Sequence, residues 1–222
     1  MNTDYLKTIP LFLNLSQEQL NFIESCSRKF SVTKGTVIIY QEDNSLDLFI
    51  ILSGKINVSL LHEDGREVTL DILTQGDFFG ELSLFDKKPR SATVTAISDS
   101  KILILPRVFF IKLMMENPDI IFKFLQVMAA RLRKADEKIE TLTFVDVCGR
   151  VSKLIIDLAK RKGEKLPDST IKIRCPTHQV IANQIGASRE SVTKALKSLV
   201  SKGLINMKGK EIIISPKQFE IL

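Results

Sequence analysis

Cysteine and histidine are scarce in this 222-residue chain, and tryptophan is absent. The three cysteines, Cys26, Cys148 and Cys175, lie far apart. Odd in number and without a CxxC pair, they exclude a disulfide framework and the common thiolate metal sites. They read as small, half-buried residues in a reducing compartment. His62 and His178 are isolated from each other and from any second ligand in sequence, so no neighbouring ligand supports a metal or haem role for either. Long apolar runs are missing too: no stretch approaches the ~18 residues that a membrane helix needs. The N-terminal stretch is interrupted by Asp4, Lys7, Asn14 and Glu18 and does not form a secretory leader. The expectation is a cytoplasmic protein without membrane attachment.

What is present is unevenly distributed charge. The net charge is +6, yet residues 146–222 hold 15 Lys and Arg against 7 Asp and Glu, while residues 1–145 hold 17 against 19. A basic C-terminal third behind a slightly acidic front points to a polyanionic partner for the back of the chain. The length suffices for two small domains, each with its own core.

Hydrophobic periodicity divides the chain into three. After a short helix expected from Ser16 to about Cys26, residues 30–106 alternate β-rich runs with glycine turns at Gly35, Gly54, Gly65 and Gly76, the pattern of an antiparallel sandwich or barrel. Between Gly80 and Arg90 the expectation is a short apolar turn. From Pro118 the period changes: Ile121, Leu125, Met128, Leu132, Ala135, Ile139 and Leu142 recur at spacings of 4 and 3 in a heptad seam. A lone helix packed on its own domain fits this pattern, but spacing near 3.5 over three heptads favours a dimerisation helix. The expected domains are 1–117, 118–145 and 146–222.

Residues 146–222 read as an amphipathic helix, a loop at 162–170, a short strand, two helices and two strands around Lys208-Gly209-Lys210. The helix pair satisfies the demands of a helix-turn-helix. Counting from His178, Ala182 is fifth, where a small residue allows close crossing; Gly186 is ninth, where the turn is left-handed; Val192 is fifteenth, packing back on the first helix. Ile181, Ile185, Ala187 and Ala195 complete that core. The second helix offers Ser188, Arg189, Glu190, Ser191, Thr193, Lys194 and Lys197 outward. Arginine pairs bidentately with guanine and glutamate accepts from cytosine in the major groove. Lys197, Lys202, Lys208 and Lys210 then serve as phosphate contacts, with the last strands as a wing.

This order of parts resembles the Crp–Fnr family of bacterial transcription regulators over nearly the whole chain. GELSLFDKKPRSATV at 80–94, the helix from Asn117 and QIGASRESVTKALKSL at 184–199 carry the likeness. It implies an α+β protein: an N-terminal β-roll of the cyclic-nucleotide-binding type, a long dimerisation helix and a C-terminal winged helix-turn-helix. In that family the first stretch is a phosphate-binding cassette. The resemblance therefore places a cyclic nucleotide, cAMP first, against Gly80, Glu81, Leu82, Ser83, Arg90 and Ser91. Gly80 admits close backbone approach, Glu81 accepts from the ribose 2′-hydroxyl, and Arg90 with Ser91 meets the phosphate. The other reading is that Glu81 and Arg90 pair only with each other. Where cAMP-binding members read adenine with a Thr-Ser pair, this chain has Ala135-Asp136, an acceptor suited to an amine or a guanine edge. Arg131, one turn earlier, is left available near the base.

By the same resemblance Arg189, Glu190 and Lys194 read bases in a palindrome with TGTGA-like half-sites, and the protein is a homodimer that contacts RNA polymerase. A second hypothesis keeps the shape and drops the nucleotide, in favour of constitutive action or redox, haem or other small-molecule sensing. The iron–sulfur branch needs an N-terminal cysteine cluster, and only Cys26 lies there. An enzyme is disfavoured, since no general base sits beside a nucleophile.

Overall fold

Ser16 opens the first α-helix, α1 (Gln17–Cys26), through a capping box with Gln19. Before it, the computed structural model, which describes residues 3–215 and 218, shows two short 3-10 turns at Leu6–Thr8 and Pro10–Phe12. Eight strands follow: β1 (Arg28–Val32), β2 (Val37–Ile39), β3 (Leu48–Ser53), β4 (Lys55–Leu61), β5 (Glu67–Thr74), β6 (Phe78–Phe79), β7 (Thr93–Ala96) and β8 (Ser100–Leu105). They form two antiparallel four-stranded sheets, ordered β1-β8-β3-β6 and β2-β7-β4-β5.

Alternation along β3 explains how the roll is filled. Phe49 and Ile51 point between the sheets, where they meet Ile56, Leu73, Val94 and Ile102. Leu48 and Ile50 point the other way, into a second core with Leu20, Ile23, Phe110 and Leu113. A strand buried on both faces must be apolar throughout, which is why LFII is continuous. The expected turn after Gly80 is instead a six-residue helix, α2 (Glu81–Asp86). Arg107 Nε ties its C-terminal end to α3 (Arg107–Glu116) by donating to the Leu84 carbonyl at 2.6 Å.

The long helix α4 runs unbroken over Pro118–Phe144. Ile120 and Phe124 bury themselves in the second core of the roll, and Met128 packs partly against it. The rest of the heptad seam is left open: Leu132 is 65% and Ile139 63% exposed, with Ile121, Leu125 and Leu142 also outward. The chain packs as two units, Met1–Arg133 and Lys134–Leu222, so the division falls within α4.

The second unit contains α5 (Val147–Lys162), β9 (Glu164–Lys165), β10 (Ile171–Arg174), α6 (His178–Ile185), α7 (Arg189–Ser201), β11 (Asn206–Lys208) and β12 (Glu211–Ile214). The segment expected as a loop after Lys162 thus carries β9, which completes an antiparallel sheet ordered β11-β12-β10-β9. Ile173, Ile212 and Ile214 from this sheet close on Val151 and Ile155 of α5 and Leu196 and Leu199 of α7.

Candidate functional site

Gly80 ends β6 in the left-handed region, at φ 80°. A Cβ there would collide with the Arg90 guanidinium and sit 3.0 Å from the Asp47 carbonyl. Glycine is therefore required twice over, by conformation and by space. The left-handed residue followed by the right-handed turn of α2 also sets successive N–H groups into an anion-binding concavity.

Arg90 lies beneath this corner and is 2% exposed. Its Nη1 donates to the Gly80 carbonyl at 2.6 Å, Nη2 to the Asp47 carbonyl at 2.8 Å and Nε to Ser45 Oγ at 3.0 Å. The guanidinium also faces the Phe49 ring, 5.4 Å from its centroid. No carboxylate lies within ion-pair distance among the described residues. Burial lowers its pKa, and the charges of Asp47, Asp43 and Glu81 work against that fall. A buried cation held by neutral carbonyls is costly unless an anion reaches it.

Glu81 does not pair with Arg90. Its Oε1 receives a hydrogen bond from Arg131 Nη1 at 2.8 Å, and the carboxylate is 8% exposed as a residue. Arg131 also donates to the Phe78 carbonyl and lies over the Phe78 ring, 4.8 Å from the centroid. Arg131, expected to be available near the base, is delivered by α4 to the β6–α2 corner, where it is engaged by Glu81. Ser83 is buried, whereas Leu82 and Ser91 are exposed. Ala135 and Asp136 are exposed one turn further along α4.

The second unit builds its surface from a different geometry. Gly186 joins α6 to α7 at φ 64°, and Val192 is fully buried beneath the turn with Ile181, Ala182 and Ala195. Ser188 caps α7 by accepting from the Ser191 amide at 3.1 Å. Arg189, Glu190, Lys194 and Lys197 project from α7 as exposed residues. Thr193 is different. Its hydroxyl donates to the Arg189 carbonyl at 2.9 Å and lies 2.8 Å from His178 Nδ1. The hydrogen bond between the Thr193 hydroxyl and His178 Nδ1 ties α6 to α7.

Comparison with known proteins matches both surfaces to defined domains. Residues 29–117 match the cyclic nucleotide-binding domain and residues 149–218 the Crp-like helix-turn-helix domain. The chain is 36% identical over 193 residues to the cAMP-activated global transcriptional regulator Vfr of Pseudomonas aeruginosa, covering 85% of this chain and 89% of that one.

It belongs to the Crp–Fnr family of transcription regulators.

This regulator is also 35% identical over 185 residues to a CRP-like cAMP-activated global transcriptional regulator of Mycobacterium tuberculosis, covering 83% of each chain. Its fold matches that of the c-di-GMP responsive global regulator CLP of Xanthomonas campestris, with a TM-score of 0.79, 22% identity and coverage of 90% and 99%. The family consists of DNA-binding transcription regulators and not of enzymes. The cyclic nucleotide-binding match lies in the first unit and the helix-turn-helix match in the second. Sequence reasoning missed Ser45 and Asp47, whose only signal was a polar turn between two apolar strands. It also missed the His178–Thr193 bolt.

Proposed function

We propose that this regulator is a homodimer whose affinity for a palindromic DNA site is switched by cAMP. One observation carries the reading: Arg90 is a buried guanidinium whose three contacts are neutral and whose charge awaits an anion. A cyclic phosphate exchanges a neutral carbonyl acceptor for a charged one, and charge-assisted bonds are roughly twice as strong. Glu81 keeps a second carboxylate oxygen for the ribose 2′-hydroxyl, and Ser91 is exposed beside Arg90. The names of the relatives support cAMP as the effector, and the cyclic nucleotide-binding match favours it over redox or haem sensing. Asp136 accepts from an exocyclic amine of the base, in place of the hydroxyl pair of cAMP-binding family members.

The ligand recruits Glu81, and Arg131 is shared between Glu81 and Phe78. Because Arg131 sits on α4, a change at the β6–α2 corner is carried along the helix to the Phe144–Asp146 junction. Exposed Leu132 and Ile139 form the seam for a second copy, since a soluble chain does not leave such a stripe uncovered. A two-fold dimer presents two copies of α7 to half-sites about 34 Å apart. Arg189, Glu190 and Lys194 read TGTGA-like half-sites, and RNA polymerase is the cytoplasmic partner of the bound dimer. Calorimetric titration with cAMP, cGMP and cyclic di-GMP tests the effector. Micromolar binding of cAMP with weaker binding of the others is expected; preference for a guanine nucleotide would show that Asp136 selects that edge instead, and no binding by any would overturn the reading.

A further inference from the structure

A cleft of about 580 Å³ opens in the second unit between the end of α5, the segment leading into α6 and the wing. This volume lies in the range of small-molecule sites. Leu158, Ile173 and Met207 supply an apolar lining, and Lys162, Arg174 and Lys210 stand at its edge. No carboxylate lines it. The three cations are exposed, and none forms an ion pair among the described residues. The contrast with the adjacent lysine is informative. Lys172 is matched by Glu164 at 2.9 Å and Glu211 at 3.9 Å. On the same strand, Arg174 stands across from Glu211 yet forms no ion pair among the described residues, so of these two β10 cations the one at the cleft is the one without a salt bridge.

We propose that this cleft is a second ligand site, distinct from the nucleotide corner, for a small carboxylate with an apolar body. The cations alone could be reserved for DNA phosphates. Phosphates, however, gain nothing from a floor of leucine, isoleucine and methionine, whereas an amphipathic anion uses both parts. Cys175 adds to the apolar character: burial raises its thiol pKa, and Sγ lies 3.3 Å from the Pro176 carbonyl. The cleft is bordered by Thr177 and His178 at the start of α6 and by Gly209 and Lys210 in the wing turn. An occupant placed there shares its cations with the DNA backbone and competes with DNA. The site thus gives the regulator a second input that acts on the DNA-binding unit directly.

Cys175 provides the readout. The 222-residue protein is treated with N-ethylmaleimide, and modification is followed at each cysteine by mass spectrometry, with Cys26 and Cys148 as internal controls. Octanoate is expected to slow labelling of Cys175 saturably while octanol, of equal length and no charge, protects at about tenfold higher concentration. Lys162→Gln and Arg174→Gln, both exposed and outside the core, are each expected to raise the octanoate half-saturation by about tenfold. Octanoate should also weaken DNA binding over the same concentration range. The proposal is overturned if octanol protects as well as octanoate, if neither protects, or if both variants titrate as the parent does. Inorganic phosphate protecting as well as octanoate would also overturn it, reducing the cleft to a backbone-phosphate surface.

Discussion

Replacing Arg90 by glutamine removes the buried cation at the corner between β6 and α2. Three contacts are lost or weakened: Gly80 at 2.6 Å, Asp47 at 2.8 Å and Ser45 at 3.0 Å. For folding the two effects oppose each other. Each carbonyl left without a donor costs about 1–3 kcal/mol, and removing a desolvated cation recovers much of that. The fold should survive. For ligand binding nothing offsets the loss, because the cyclic phosphate would enter a site whose remaining cation, Arg131, is already paired with Glu81. Truncating one partner of a buried charge pair costs about 2–5 kcal/mol, or roughly 30- to 4,000-fold in affinity. Arg90→Lys should fall between, since it keeps the charge and loses the planar fork. Calorimetry gives the affinities, and thermal unfolding of the same samples shows that the variants are folded. A folded Arg90→Gln protein binding cAMP within about threefold of the parent would refute the argument.

Leu132→Asp should convert the dimer to monomer in sedimentation, because it buries two carboxylates at a cost of several kcal/mol in the seam; a stable dimer would show that the open face of α4 serves something else. Gly186→Ala should destabilise the DNA-binding unit by about 1–2 kcal/mol through its left-handed backbone, lowering its melting temperature by roughly 4–8 °C per kcal/mol. The new Cβ would also sit 3.1 Å from Leu142 Cδ2, so an unchanged melting temperature would contradict the turn geometry. Arg189→Ala should cost about 1–3 kcal/mol and relax discrimination at one base pair in a site-selection assay; a uniform loss across all sequences would mark Arg189 as a phosphate contact.

The helix-turn-helix was legible because its constraints are local. Ala182, Gly186 and Val192 sit at fixed offsets, and their sizes alone define the crossing. The same holds for α1, whose Ser16–Gln19 box is written in four residues, and for α4, whose seam is a simple period. Other elements hide for physical reasons. The strand β1 is an edge strand, RKFSV, and only Phe30 and Val32 pack toward the core. The helix α3 is apolar nearly all round, with Phe110 and Leu113 buried while Val108 and Met115 are exposed, so it shows no clean face. In the site, the cassette residues could be found from 80–94, but their partners could not. Arg131 is 50 residues from Glu81, and Arg90 is held by backbone carbonyls, which carry no side-chain signature.

The most direct test of cyclic-nucleotide gating is the affinity of the purified dimer for a palindromic TGTGA-type DNA fragment, titrated by fluorescence anisotropy with and without saturating cAMP at one fixed salt concentration. The account predicts at least about a tenfold gain in affinity with cAMP, worth roughly 1.4 kcal/mol of coupling, and loss of that gain in Arg90→Gln. Equal affinity with and without the nucleotide would contradict it.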